Sequence, residues 1–234
     1  MKRFAALLVT LVTLTALSGC AILTPPGKQV TESREIGDVT AVELSSGGSL
    51  VVSVGSTPSL EITAGENMIG RLSSDVSGGT LDLGIMPGIG FVTGNVSYAL
   101  TVTSLDTLEI KGSGDAEIDF AGAEEVDLDI DGSGSISGTN LDAREVDIEI
   151  AGSGDVELEG EASSFSLTIS GSGEYLGDDL TTEVADVTIS GSGEVELSAS
   201  DSLDVTINGS GEVRYTGGAT LEQNINGSGE ITEY

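Results

Sequence analysis

Gly-Ser-Gly recurs seven times in the second half of the chain, starting at Gly112, Gly132, Gly152, Gly171, Gly191, Gly209 and Gly227. Successive starts are 20, 20, 19, 20, 18 and 18 residues apart. Apolar side chains precede each corner at alternate positions, as in Val126/Leu128/Ile130, Val146/Ile148/Ile150, Phe165/Leu167/Ile169 and Leu203/Val205/Ile207. Ala185/Val187/Ile189 and Leu221/Gln223/Ile225 repeat the pattern with one weaker member each. A further inward candidate follows each start: Ala116, Ile136, Val156, Tyr175, Val195, Val213 and Ile231. Alternation of period two is the signature of a half-buried strand. A unit this short cannot close a core alone and must stack on copies of itself. No stretch of period 3.6 fits between the glycines, which excludes helical repeats, and propeller blades need about twice the period. The spacing therefore predicts an all-β protein, a right-handed parallel β-helix (solenoid) with coils of about 20 residues. The seven glycines mark one sharp corner per coil, where positive φ or close backbone approach excludes a side chain.

Residues 36–107 carry a degenerate form of the pattern. Asp38–Leu44, Leu50–Val54, Leu60–Thr63, Leu81–Leu83 and Ser97–Val102 alternate, with Gly47-Gly48 and Gly78-Gly79 as candidate corners. These segments read as earlier, irregular coils of one 36–234 domain, with a separate small β domain as the alternative. Ile85–Asn95, which contains Pro87 and three glycines, reads as a bulging loop.

Met1-Lys2-Arg3 followed by the apolar run Phe4–Leu17 has the form of a secretory leader, too short to span a bilayer as a helix. The run ends in Leu17-Ser18-Gly19-Cys20, a lipobox, and Cys20 is the only cysteine. Residues 1–19 are thus predicted to be a lipoprotein signal peptide, and Cys20 the site of lipidation. Residues 20–35, with Pro25-Pro26-Gly27, read as a polar tether. Such an address implies a bacterial cell envelope, with a lipid at Cys20 holding the domain on the membrane. Ala21 after the cysteine fits outer-membrane sorting in a Gram-negative host.

Composition narrows the chemistry. The chain has 39 acidic and 8 basic side chains, no His and 3% aromatics, for a net charge of −31. Removing the leader takes away Lys2 and Arg3, so six basic residues remain against 39 acidic ones, a net −33. Without His there is no Ser-His-Asp or Cys-His catalysis. A surface this acidic repels nucleic acid. Gly171-Ser172-Gly173-Glu174-Tyr175-Leu176-Gly177 is no phosphate loop, because no helix follows it.

The charges fall on outward positions. Glu109, Asp129 and Glu149 share one register, and Asp127 and Asp147 another. A third, after the second corner glycine, holds Asp115, Asp155, Glu174, Glu194, Glu212 and Glu230. Asp127, Asp129, Asp147 and Glu149 are the candidate oxygen ligands for Ca²⁺, the one cofactor suggested. The other reading of the columns is a solvated face that resists aggregation. Paired carboxylates also occur in polysaccharide-cleaving sites, but only Lys111, Arg144 and Arg214 lie in the regular region to receive an acidic polymer.

Ile36-Gly37-Asp38-Val39-Thr40-Ala41-Val42-Glu43-Leu44, the spaced Ile-Ser-Gly-Ser-Gly-Glu of Ile169–Glu174 and Ile189–Glu194, and the lipobox carry a family resemblance. From about residue 34 to the end, the chain resembles the autotransporter-adhesin family with a head GIN domain, found among bacterial envelope lipoproteins. The opening corner departs from the family's usual Ser-Gly-Ser-Gly, reading Ser-Ser-Gly-Gly-Ser. The resemblance implies a β-helix and no established activity. The expected function is non-catalytic: a lipid-anchored protein presenting a repetitive acidic face for adhesion or interaction with an envelope or surface ligand. Polysaccharide binding or processing and weak Ca²⁺ binding are the alternatives. The last coil either stays open or pairs with another copy as a homo-oligomer.

Overall fold

A computed structural model describes residues 25–87 and 94–234. The signal-peptide and lipidation readings, including Cys20, lie outside the described residues, as does most of the loop predicted over 85–95. In chain order the strands are β1 (Gln29–Arg34), β2 (Ala41–Leu44), β3 (Gly48–Val54), β4 (Ser59–Gly65), β5 (Leu72–Ser77), β6 (Thr80–Ile85) and β7 (Ser97–Val102). They continue with β8 (Thr107–Gly112), β9 (Gly114–Asp119), β10 (Glu125–Gly132), β11 (Ser135–Gly152), β12 (Asp155–Gly171) and β13 (Glu174–Gly191). The last are β14 (Glu194–Gly209), β15 (Glu212–Thr216), β16 (Thr220–Gly227) and β17 (Glu230–Glu233). A single 3-10 turn, Ile69–Arg71, joins β4 to β5.

The fold is an all-β, mostly parallel β-solenoid with coils of about 20 residues, consistent with the expected right-handed β-helix. From β11 onward each coil is nearly continuous strand. Val146, Phe165, Ala185 and Leu203 pair in register, as do Ile150, Ile169, Ile189 and Ile207, so each inward position stacks on its own kind. These side chains are essentially fully buried. Phe165 and Tyr175 meet at 4.9 Å between ring centroids, filling the interior beside the small Ala185.

The predicted glycine corner is present, and its physical cause is specific. From Gly112 to Gly209, the carbonyl of each corner glycine points at the next coil and accepts the N–H of that coil's corner serine. Ser172 N–H bonds Gly152 O, and Ser192 N–H bonds Gly171 O, each at 2.8 Å. A Cβ on Gly171, whose φ is +144°, would lie inside van der Waals contact of that Gly152 carbonyl oxygen.

Residues 36–107 join the same sheet, but not as successive coils. The β2/β3 coil lies between two others. On one side β8 and β9 pair with it, and on the other β6 and β7 do, all parallel. The chain makes a coil, goes outward to make the end coil, and then passes back across the first to start the regular series. Leu60–Thr63, expected in a coil, belongs instead to β4, which runs antiparallel along the edge of β7. Gly78-Gly79, expected as a corner, is the two-residue turn of the antiparallel β5–β6 hairpin, with Ser77 opposite Thr80. Two glycines with φ +64° and +89° between alternating strands suit a tight hairpin of the primed type. Gly47-Gly48 does form a corner, with Gly48 in register with Gly114.

The tether reading for 20–35 is also corrected over its C-terminal part. Gln29–Arg34 is not free chain but the outermost strand, antiparallel to β4 from Gln29–Gly65 to Arg34–Leu60. Arg34 anchors it, donating from Nη1 to Leu72 O at 2.8 Å and from Nη2 to Ile69 O at 3.1 Å.

Candidate functional site

Because the coils superpose residue for residue, outward side chains form columns along the solenoid. One acidic column of five runs Asp82, Glu43, Glu109, Asp129, Glu149, each the direct pairing partner of the next. Sequence reasoning placed only Glu109, Asp129 and Glu149 together. Glu43 and Asp82 were missed because the reversed coil order puts them beside Glu109 in space although they lie far upstream. The usable signal was the apolar frame of Val42 and Leu44 leading into Gly47-Gly48, which matches Leu108 and Ile110 before Gly112. Beyond Glu149 the same column turns neutral, continuing as Thr168, Thr188, Thr206 and Asn224.

The four candidate ligands lie on this face. Asp127 pairs with Asp147, and Asp129 with Glu149. Adjacent parallel strands are about 4.8 Å apart, so neighbouring carboxylates repel by roughly 0.8 kcal/mol in water. Burial first, and then Asp147, push the Asp127 carboxyl above its ordinary value. Burial first, and then Glu109 and Glu149, do the same to Asp129. Asp127 and Asp147 also line a groove of about 310 Å³ with Asp106, Glu125 and Glu145. Among the described residues, no group of three His, Cys, Asp or Glu stands in metal-binding geometry.

The predicted column after the second glycine exists on the neighbouring face, where Asp155, Glu174, Glu194, Glu212 and Glu230 are successive partners. It is interrupted once, by Ser135 between Asp115 and Asp155, and Ser135 Oγ donates to Asp115 Oδ1 at 2.8 Å. Burial, and then Glu194 and Asp155, raise the Glu174 carboxyl.

All three basic residues of the regular region are engaged. Lys111 Nζ bonds Glu109 at 2.9 Å and Glu43 at 3.0 Å, bridging two coils. These two carboxylates hold its ammonium well above the usual lysine range. Arg144 pairs with Glu125, and Arg214 with Glu196. The Arg214 guanidinium also stands 4.9 Å over the Tyr234 ring. The outer faces therefore offer columns of carboxylate oxygens and hydroxyls, with each of these cations already satisfied. Such surfaces suit cations, ordered water or donors on a partner, and they repel polyanions.

Solved structures share this architecture. One is a crystal structure of a putative adhesin from Bacteroides fragilis, with TM-score 0.84 and 22% identity, covering 88% of this chain and 97% of that one. Another, of a putative lipid binding protein from Parabacteroides distasonis, has TM-score 0.73 and 24% identity over 89% of this chain and 97% of that one. A putative adhesin from Parabacteroides merdae gives TM-score 0.66 at 22% identity, over 89% and 97% respectively. At these identities the likeness is one of fold. No curated protein matches the chain. Residues 38–219, which span the reordered N-terminal coils and almost all of the regular ones, match a family described as "Putative auto-transporter adhesin, head GIN domain", and the chain belongs to that family.

Proposed function

We propose that this protein is a lipid-anchored envelope protein that works without catalysis, presenting the acidic solenoid faces to a ligand on an external surface. The observation that carries the reading is the column Asp82–Glu43–Glu109–Asp129–Glu149, a fixed-pitch array of carboxylates on an outward sheet face. Family membership and the adhesin descriptions of the Bacteroides and Parabacteroides structures support an envelope setting. Cys20, in its lipobox, is the residue that would carry the lipid. Because β1 begins at Gln29, only Ala21–Lys28 would separate that lipid from the sheet, which would hold the solenoid close to the membrane.

The test has two arms. Cells fed radioactive palmitate should label the wild-type protein and not Cys20→Ala; equal labelling sinks the anchor. Purified protein should retain components of its host's envelope, and the double charge reversal Asp129→Lys/Glu149→Lys should abolish that retention. Retention that survives the reversal removes the acidic face as the binding surface.

The groove of Asp106, Glu125, Asp127, Glu145 and Asp147 favours one second reading, weak Ca²⁺ binding that relieves repulsion between coils. Millimolar Ca²⁺ should then raise the thermal midpoint above that in EDTA at matched ionic strength, and Asp147→Asn should erase the difference. A midpoint that follows ionic strength alone excludes the cation. Polysaccharide processing is disfavoured, because Lys111, Arg144 and Arg214 are all held by carboxylates and none is free for an anionic polymer.

A further inference from the structure

The two ends of the solenoid are finished differently. At the N-terminal end β5 covers the edge of β6, while β4 and then β1 cover the edge of β7, all antiparallel. At the other end, among the described residues, β16 pairs with β14 alone and its far edge is bare.

The hydrogen bonds show which groups that edge offers. In a parallel ladder a residue directs both its N–H and its C=O to one neighbour, and alternate residues face opposite neighbours. Ser228 N–H bonds Gly209 O, across the register Gly209–Gly227. By alternation, Asn226, Asn224 and Glu222 face β14. Leu221, Gln223 and Ile225 therefore send their backbone groups outward. Two of the molecule's exposed large hydrophobics lie in this last coil, Ile225 and Tyr234, and Leu221 is only half covered.

Charge selects the occupant. β16 has a single charged residue, Glu222, and neither Lys nor Pro, the residues that usually guard an edge. Four of the eight residues of β10, by contrast, are acidic. The adjoining end strand β17 holds Glu230 and Glu233. A basic partner would be drawn to the carboxylate columns. Another copy of this chain, repelled nearly everywhere else, can approach along β16. Head-to-tail stacking is blocked, because the antiparallel strands at the far end offer no parallel coil to continue. A closed two-fold pair needs nothing but β16 itself.

We infer that β16 is the docking edge for a second copy of this chain, paired antiparallel about a two-fold axis at Gln223. In that register Gln223 faces the partner's Gln223, and Leu221 faces the partner's Ile225. These outward-directed residues exchange both backbone hydrogen bonds with their opposite numbers. The same alignment keeps core-facing side chains on the core side and sets Glu222 against the partner's Asn224, away from the partner's Glu222. Any slip by one residue would turn the backbone groups away from each other.

Sedimentation velocity on the purified protein over a concentration series tests this, with circular dichroism to check folding. The wild type should show a reversible monomer–dimer equilibrium. Gln223→Lys sets two ammonium groups opposite each other and should weaken the dimer about fivefold. Asn224→Lys sets each new ammonium against the partner's Glu222 and should tighten it about fivefold at low salt, with the gain lost at high salt. Both positions are exposed, so both variants should fold. A wild type that stays monomeric up to its solubility limit overturns the inference. So does a dimer that ignores both substitutions, or one that both shift in the same direction.

Discussion

Gly171→Ala is expected to destabilise the protein by about 4 kcal/mol or more, and to lower its thermal midpoint by roughly 10 °C. Two costs combine there. The backbone stands at φ +144°, which L side chains rarely adopt, and the added methyl would meet the Gly152 carbonyl oxygen. That oxygen cannot withdraw without breaking its bond from Ser172 N–H. The β-carbon is thus excluded by the hydrogen bond that joins two coils. Gly112→Ala provides the control. Gly112 opens the same series at φ +111°, but a Cβ there would meet nothing within 4 Å, because β2 ends at Leu44 before reaching the corner. Only the conformational cost remains, about 1–2 kcal/mol. Equal losses in the two variants, measured by thermal or urea unfolding, would show that the close approach contributes nothing.

Acidification is expected to stabilise the fold, opposite to the usual behaviour of a protein rich in carboxylates. Asp82, Asp127, Asp129, Glu174 and Asp186 are all raised above their ordinary values, with burial the leading cause and neighbouring carboxylates next. A group whose folded pKa exceeds its unfolded one binds protons more tightly when folded. Its penalty is present in full at neutral pH, falls away as pH drops through the raised value, and is gone below the unfolded value. The thermal midpoint should therefore climb as pH falls from 7 towards about 4. Several neighbouring pairs at roughly 0.8 kcal/mol each sum to about 2 kcal/mol, or several degrees. Added sodium chloride at pH 7 should recover part of the same gain, since the exposed columns are screened. A midpoint that falls steadily between pH 7 and 5 would mean that favourable carboxylate contacts outweigh the columns.

The regular coils were legible because one requirement repeats in each of them: an apolar alternation ending at a corner where only glycine fits. Val126 to Ile207 show it without a break. The N-terminal third was read less well, and for physical reasons. The β2/β3 coil has the same inward pattern whichever coil it touches, so nothing local in Val42 or Leu44 says that both neighbours come from downstream. Gly78-Gly79 resembles a corner by composition, and only the antiparallel partner of Val76 reveals a hairpin. Gln29–Arg34 is polar on both faces because it lies at an open edge, and a strand exposed on both sides carries no period-two signal. The acidic columns were foreseen where coils follow in order, at Asp129 and Glu149, and missed where they do not, at Glu43 and Asp82.

The reversed coil order has a kinetic meaning as well. In the regular series a strand finds its partner 18–20 residues away, as Ile189 does with Ile207 and Ile169. Val42 must instead reach Leu81 and Leu108. Loop-closure entropy grows with the logarithm of contour length, so the contact with Leu108 costs about 1 kcal/mol more than a regular one. The ribosome delivers β2 and β3 before either of their neighbours, and the first coil synthesised has nothing to stack on until two later ones arrive. Local pairing favours the middle of the chain, and the N-terminal strands close over a surface that already exists.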